Sequence, residues 1–242
     1  MGCRFSALGA TLVLGAMICL AQQTTDSAAD NSERLRITLV GLRGAVSDPR
    51  VPAESSKSAT KALDWLQPEL LGETRWTKGT GIRQGIGGIG VLGGPHPKPE
   101  PVPVQYLDSL NGDLKTIQAA LPIEDDKKRA EVIAYTVKDI GLKSEDCRKF
   151  GRGRLIPVDV YTKEAGRTVN SWQVYYKNIP FGDLETEWLP MDTLSSPART
   201  SLSPGLYEFH AEMNINGMVL RSPVVRRPVA MEETVSFELP VP

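Results

Sequence analysis

The sequence predicts an α+β protein that is mainly β: a C-terminal antiparallel β-sandwich of Greek-key type, preceded by a few helices and Gly/Pro-rich loops. Short segments of alternating apolar residues recur from residue 154 to the C-terminus. Apolar residues at helical spacing occupy earlier stretches. The 22 glycines and 18 prolines indicate many turns between these elements. Together these observations favour strands at the end of the chain and helices before them.

The C-terminal strands are predicted from alternation and turn signals. The segments are "RLIPVDVYT", "TVNSWQVYYKNI", "GLYEFHAEMNI", "MVLRSPVV" and "TVSFELPV". Asn216–Gly217 between the third and fourth segments is typical of a type I′ hairpin turn. Strands at this close spacing, separated by turn residues, are typical of an antiparallel sandwich.

Two earlier segments are predicted as helices, and a third begins as one. Ala59, Ala62, Leu63 and Leu66 have helical spacing, in a helix that Pro68 weakens or ends. The second helix carries Leu114, Ile117, Ala120 and Leu121 on one face. The third begins at the acids of residues 124–126 and continues to about Ala134.

Two further segments are predicted as strands. Leu35, Ile37 and Leu39 alternate with less apolar neighbours in "LRITLVGL". Residues 135–142 follow the third helix and are rich in strand-forming residue types.

The chain divides into segments of different composition. In order, we predict a signal peptide (1–21), a flexible polar leader (22–33), a region of unknown fold ending in a Gly-rich loop (34–94), a Pro-rich linker (95–104), a helical lead-in (105–152) and the β-sandwich domain (153–242). The linker "PHPKPEPVPV" favours an extended polyproline II conformation.

The N-terminus predicts export. Arg4, an uncharged apolar run and small residues at Cys19 and Ala21 together are typical of a secretory signal peptide, cleaved after about Ala21. The start "MGCRFS" also matches the loose myristoylation pattern, and Cys19 is a weak lipoprotein candidate. An uncleaved anchor is a further alternative, although the apolar run is short for a membrane span. We expect a periplasmic or secreted protein without a transmembrane helix in the mature chain.

Charge and cysteine content exclude several classes. Of the 28 basic residues only Arg4 leaves with the signal, so 27 remain against 29 acidic residues. That balance argues against nucleic-acid binding. Cys147 is then the only thiol, so no intramolecular disulfide forms. We interpret Cys147 as a small buried hydrophobe; the alternative is a reactive thiol aided by Arg148 and Lys149.

The stretch "GTGIRQGIGGIGVLGG" contains the glycine spacing of a dinucleotide-binding fingerprint at Gly85, Gly87 and Gly90. That fingerprint needs a helix after it to hold the pyrophosphate. The proline-rich segment that follows cannot form one. We therefore predict a Gly-rich loop, with no nucleotide and no other cofactor.

Part of the C-terminal region carries a family resemblance. In "SSPARTSLSPGLYEFHA" a Pro-Gly turn leads into a strand with aromatic and apolar residues: Pro204, Gly205, Tyr207, Phe209 and Ala211. On these residues, the region 153–242 resembles transthyretin-like and carboxypeptidase regulatory-like β-sandwich domains. The resemblance implies a non-catalytic module that binds sugars, proteins or lipids, or that spaces a larger chain.

Candidate ligand contacts are few. Arg152 and Arg154 belong to a basic cluster before the sandwich, and could contact an anion or a partner. Trp172 and Tyr175 could form an aromatic platform, although Trp172 is the better core residue and Tyr175 the better exposed one.

An enzyme would need Cys147 and His210, with an acid such as Asp159. These residues are chosen by type alone, and the alternative for His210 is a solvated or partner-bonded residue on an outward strand face. The other histidine, His96, lies in the proline tract, and no zinc motif occurs.

These observations predict an exported, non-enzymatic β-sandwich protein. It would act as a binding or structural module of the cell envelope, with an envelope protein or carbohydrate as its partner. The alternatives are an extracytoplasmic enzyme using Cys147 and His210, or a lipid-anchored envelope protein.

Overall fold

The computed structural model describes residues 30–72, 101–178, 187–193 and 195–242. These residues form an α+β fold with a sheet-rich C-terminal part, as predicted. The helices are α1 (30–46), α2 (Ala53–Leu71), α3 (Val104–Ala120) and α4 (Asp126–Phe150). The signal peptide, the Gly-rich loop and His96 lie outside the described residues.

Helix α1 corrects the strand predicted from Leu35, Ile37 and Leu39. The side chains that it buries recur at helical spacing: Leu35, Thr38, Leu39, Leu42 and Val46. Ile37 is 61% exposed, so the alternation that predicted a strand was incidental. The helix also includes residues 30–33, the end of the predicted polar leader.

Helix α2 confirms the helix predicted from the spacing of Ala59, Leu63 and Leu66, and it is longer than predicted. Ala59, Leu63, Leu66 and Leu70 are buried on one face. Pro68 lies inside the helix rather than ending it, and the last residue is Leu71. The ending is set by Gly72, which adopts the left-handed conformation with φ of 69° that favours glycine.

Helix α4 corrects the strand predicted at 135–142, because one helix runs from Asp126 to Phe150. The Asp125 side chain caps its start by accepting hydrogen bonds from the backbone N–H groups of Lys127 and Lys128. Val132, Ile133, Val137 and Ile140 face the core at helical spacing. Burial of that face outweighs the strand propensity of "VIAYTV".

The four helices share one apolar core. It includes Leu39 of α1, Leu66 of α2, Leu110 of α3 and Ile140 of α4. The predicted helical lead-in and the N-terminal region therefore pack together around the same buried residues. This core is separate from that of the sandwich.

Nine strands form two sheets in the described part of the chain. The strands are β1 (Ile156–Glu164), β2 (Arg167–Thr168), β3 (Gln173–Asn178), β4 (Leu189–Pro190), β5 (Ala198–Leu202), β6 (Gly205–Ile215), β7 (Met218–Arg221), β8 (Val225–Val229) and β9 (Val235–Pro240). The first sheet has the order β2-β1-β5, with β9 on the other side of β1; the second has β4-β3-β6-β7, with β8 also beside β6. Pairing is antiparallel, as predicted, except that β1 and β9 pair in parallel.

The two sheets enclose one apolar core. Phe209 of β6 and Phe237 of β9 meet there with ring centroids 4.9 Å apart. Tyr207 and Phe209 are buried, as predicted. Asn216 and Gly217 have φ of 52° and 85°, which matches the predicted hairpin turn between β6 and β7.

Helix α4 joins the helical core to the sandwich. The Asp139 carboxylate accepts a hydrogen bond from the Leu206 backbone N–H at 2.5 Å. A Cβ atom at Gly205 would lie 2.7 Å from that carboxylate, which is too close. The Pro204–Gly205 pair was predicted for its turn, but the structure adds a second reason: glycine leaves room for Asp139.

Candidate functional site

An open groove of about 630 Å³ lies between α2 and α4. Its volume lies within the range of ligand-binding sites. From α2 it is lined by Glu54, Ser55, Ser58, Lys61, Ala62 and Trp65, and from α4 by Ala134, Val137, Lys138, Gly141, Leu142, Ser144, Glu145 and Arg148. Both sets recur at helical spacing, so each helix presents one face to the groove.

The two helices run in the same direction along the groove. The Ser144 hydroxyl of α4 donates to the Ala62 carbonyl of α2 at 3.0 Å. Gly153, just after α4, lies against Leu70 near the end of α2. The lining of α2 from Glu54 to Trp65 therefore extends for about 16 Å at the usual helical rise.

Trp65 is the main apolar side chain of the groove, and it is 48% exposed. Small residues at Ser58, Ala62 and Gly141 keep the groove open beside it. A large exposed aromatic next to small residues is the arrangement in which a partner gains contact area at low entropic cost.

Charged side chains line both walls of the groove. They are Glu54, Lys61, Lys138, Glu145 and Arg148. None of the ion pairs found among the described residues includes any of these five. Some charged side chains elsewhere pair across elements, as Arg43 of α1 does with Asp64 of α2. As far as the described residues show, the groove thus presents charge of both signs that is in no ion pair.

The predicted aromatic platform is not formed. Trp172 is 3% exposed and belongs to the sandwich core. Tyr175 is half-buried and stacks on His210, with ring centroids 5.3 Å apart and planes at 13°. Neither residue lines the groove.

The two arginines predicted as ligand contacts have different surroundings. Arg154 donates two hydrogen bonds to the Asp146 carboxylate, at 2.9 and 3.1 Å, and a third to the Glu232 carbonyl. Its guanidinium also lies 3.8 Å from the centre of the Phe150 ring. In Arg152 the Nε and Nη1 atoms are buried, and among the described residues they have no hydrogen-bond partner. Burial lowers the pKa of Arg152.

His210 lies in an aromatic and acidic setting on the second sheet. It is 2% exposed, covered by Trp188 with ring centroids 4.1 Å apart. Its Nε2 atom is 3.0 Å from the Glu212 carboxylate, so the interpretation as a partner-bonded residue holds. Its Nδ1 atom is buried without a hydrogen-bond partner among the described residues. Burial lowers the pKa of His210, although the hydrogen bond to Glu212 opposes this.

The protein is expected to lose stability as the pH falls through about 6.5, where an unfolded histidine becomes protonated. Because the folded pKa of His210 is lowered, the unfolded chain binds this proton more readily than the folded one. Urea unfolding at pH 7.5 and pH 5.5 measures the loss. In His210→Phe the difference between the two midpoints should shrink; an unchanged difference would show that other groups cause it.

The residues of the proposed catalytic pair lie in different surroundings. Cys147 is 3% exposed in the helical core, and burial, aided by Glu69 and Asp146, raises its pKa to about 12. A thiol in this state is a poor nucleophile. His210 belongs to the second sheet, and Asp159 pairs instead with Arg199 at 3.2 Å. The structure does not bring these three residues together.

A buried charged cluster was missed by sequence reasoning. Lys143 is fully buried and donates to Asp113 of α3 at 2.8 Å and to Asp139 of its own helix. Burial alone would lower the pKa of Lys143, but the two carboxylates outweigh it and raise that pKa. Burial raises the pKa of Asp113, with Asp139 adding and Lys143 opposing. The sequence did contain one indication of this buried cluster: Asp139 and Lys143 are four residues apart on the apolar face of α4.

Three absences concern the described residues alone. No helix among them is both long and apolar enough to cross a bilayer. They contain no group of three or more His, Cys, Asp or Glu side chains that could hold a metal ion. The lining of the groove includes none of the residues predicted as ligand contacts.

No protein-family model, no curated protein and no solved structure matches this chain, so the transthyretin-like resemblance stays a prediction.

Proposed function

We propose that this chain is an exported, non-enzymatic binding module of the cell envelope, and that the groove between α2 and α4 is its binding surface. The single observation that carries the proposal is the exposed Trp65 in a groove lined by unpaired charges. The charged side chains of the groove are in no ion pair among the described residues, whereas Arg154 bonds to Asp146 and His210 to Glu212 inside the fold.

The groove suits a macromolecular partner better than a small enclosed ligand. It is open along its length, and its walls carry both acidic and basic side chains. An envelope protein would contact Trp65 as an aromatic anchor and pair with the flanking charges. A carbohydrate would stack on the same indole and hydrogen-bond to Ser55, Ser58 and Lys61.

The attachment of α4 to the sandwich supports a binding role. The helix presents one face to the groove and uses Asp139 and Asp146 to hold Leu206 and Met231 of the sandwich region. A partner bound in the groove would therefore be held at a fixed position relative to the β-sandwich. That is the behaviour expected of an accessory or spacing module.

A photocrosslinking amino acid placed at Ser58 tests the groove. In cells, this site should form crosslinks to one envelope component, and Trp65→Ala should reduce their yield. The matched control is the same crosslinker at Gln118, an exposed position of α3 outside the groove. Equal crosslinking from both positions, or an unchanged yield in Trp65→Ala, would rule out the groove as the binding surface.

The location of the protein is tested by the intact mass of the native chain. A mass equal to residues 22–242 supports cleavage after Ala21 and export. An added acyl mass at Gly2 or Cys19 would instead support the lipid-anchored alternative.

A further inference from the structure

We infer that the tip of the β6–β7 hairpin, residues 213–220, contacts the surface of a lipid bilayer. This hairpin tip lies outside the groove, and the inference goes beyond the proposed function. It is carried by three observations: how far the hairpin extends, which side chains it exposes, and the absence of charge along it.

The hairpin tip extends past its neighbours in the sheet. Strand β6 pairs with β8 up to Phe209 and with β3 up to Glu212. Beyond Glu212 its one partner among the described strands is β7, in the register Met213–Leu220, Asn214–Val219 and Ile215–Met218. The Asn214 side chain accepts a hydrogen bond from the Gly217 backbone N–H at 2.9 Å and holds the turn. The tip is thus a two-stranded ribbon about 10 Å long at the rise of an antiparallel strand.

Apolar side chains are exposed on both faces of this ribbon. Ile215 and Met218 form a cross-strand pair on one face and are 42% and 64% exposed. Val219 lies on the opposite face and is 53% exposed. On the first face Met213 and Leu220 are half-buried against the sandwich core, so the exposed pair continues that apolar surface outward.

The hairpin tip carries no charge. None of its eight residues is acidic or basic, in a chain of which 24% is charged. The first charges are Glu212 and Arg221, which pair at its base with Arg221 64% exposed. Met218, next to the turn, lies about 10 Å along β7 from Arg221, which matches the depth at which interfacial segments enter a bilayer.

The two-sided exposure favours lipid over a protein partner. A second copy or another protein would cover one face of the ribbon and leave Val219 or the Ile215–Met218 pair in water. Lipid would surround both faces. Insertion must be shallow, because the outer edges of a two-stranded ribbon leave backbone groups that the hydrocarbon region cannot satisfy.

Exposure alone does not carry this inference, as α1 shows. Ile37 and Val40 are 61% and 60% exposed, but both lie on a helix whose surface also carries Glu33, Arg36 and Arg43. Arg36 pairs with Glu33 there at 3.1 Å. Burying that surface in lipid would also desolvate these charges. The same side-chain types therefore provide a control surface of matched exposure.

Vesicle flotation tests the inference with the protein purified from its native envelope. The vesicles are phosphatidylethanolamine with an equal share of phosphatidylglycerol. Wild type should float with them, and Met218→Ser/Val219→Ser should bind at least about tenfold more weakly, because two apolar contacts are lost. Ile37→Ser/Val40→Ser should bind like wild type. The N-terminus is the same in all three proteins, so only the hairpin tip can cause the difference.

Two outcomes would overturn the inference. One is equal binding by wild type and the tip variant. The other is a wild type that does not float but self-associates in sedimentation, with the tip variant monomeric; a second copy would then cover the tip.

An environment-sensitive fluorophore at Met218→Cys provides a second measurement that leaves Val219 in place. Its emission should shift to the blue when vesicles are added, and an unshifted spectrum would contradict contact with lipid. Both experiments are independent of the groove, because Trp65 and its neighbours are unchanged. A negative result for lipid binding would therefore not contradict the proposed function, and a negative result for the groove would not contradict lipid binding by the hairpin tip.

Discussion

Replacing Lys143 by methionine should lower the free energy of unfolding by about 3–5 kcal/mol, the usual cost of removing one partner from a buried ion pair. Lys143 is fully buried, and its ammonium group contacts the carboxylates of Asp113 and Asp139. Without it, two acids face each other in the interior with no positive charge between them. Urea unfolding followed by circular dichroism measures the loss.

The control for this substitution is Lys138→Met. Lys138 lies on the same helix but is exposed, so the change should stay within about 0.5 kcal/mol. Asp113→Asn should cost less than Lys143→Met, because the asparagine amide oxygen can still accept a hydrogen bond from Lys143, and Asp139 still places a negative charge beside the ammonium group. If Lys143→Met unfolds at the same urea concentration as wild type, the cluster does not contribute to stability.

Replacing Asp146 by alanine should lower the free energy of unfolding by about 2–4 kcal/mol. The carboxylate is 1% exposed and binds both the Arg154 guanidinium and the Met231 backbone N–H. Its loss leaves a partly buried arginine and a backbone donor without an acceptor, at the junction of the helical core and the sandwich. Urea unfolding should be followed both by circular dichroism of the helices and by tryptophan fluorescence.

Asp159→Ala is the matched control for Asp146→Ala. Asp159 also pairs with an arginine, but Arg199 is 65% exposed, so the loss should stay below about 1 kcal/mol. If the two variants lose the same stability, burial does not distinguish the two pairs. If the two probes cease to coincide in Asp146→Ala alone, this junction couples the unfolding of the two cores.

The sandwich could be predicted because alternation in sequence maps directly onto its two faces. Ile156, Val158 and Val160 are buried in β1 while the residues between them are more exposed. The hairpin turn at Asn216–Gly217 was predictable for a local reason, since its residues tolerate positive φ. The parallel pairing of β1 with β9 was not predictable, because alternation specifies the faces of a strand and not the direction of its neighbour.

The helices were harder to predict where apolar residues occur on their exposed side. In α1, Ile37 completes an alternating pattern with Leu35 and Leu39, although only the latter two are buried. In α4, strand-forming residues such as Val137 occupy positions that also fit a helix. Packing against α2 and α3 favours the helical period over the strand period, and a single sequence does not show that packing.

The candidate site could not be predicted because its parts come from two helices. Trp65 and Arg148 are far apart in the sequence, and Trp65 has no local signal of binding. Arg154 had a signal of binding, because it is part of a basic cluster. Its acidic partner Asp146 also lies near it in the chain, and the two side chains pair in the fold. Residue type predicts which groups are able to bind; only the fold shows which of them already have a partner.

The alkylation rate of Cys147 reports how often the helical core opens. This residue is the only thiol in residues 22–242, it is buried in the helical core, and its pKa is raised to about 12. An alkylating reagent can reach it only in molecules whose helices have separated, so the rate of modification counts those openings. The same protection would keep the thiol unoxidised in an oxidising compartment for as long as the core stays closed.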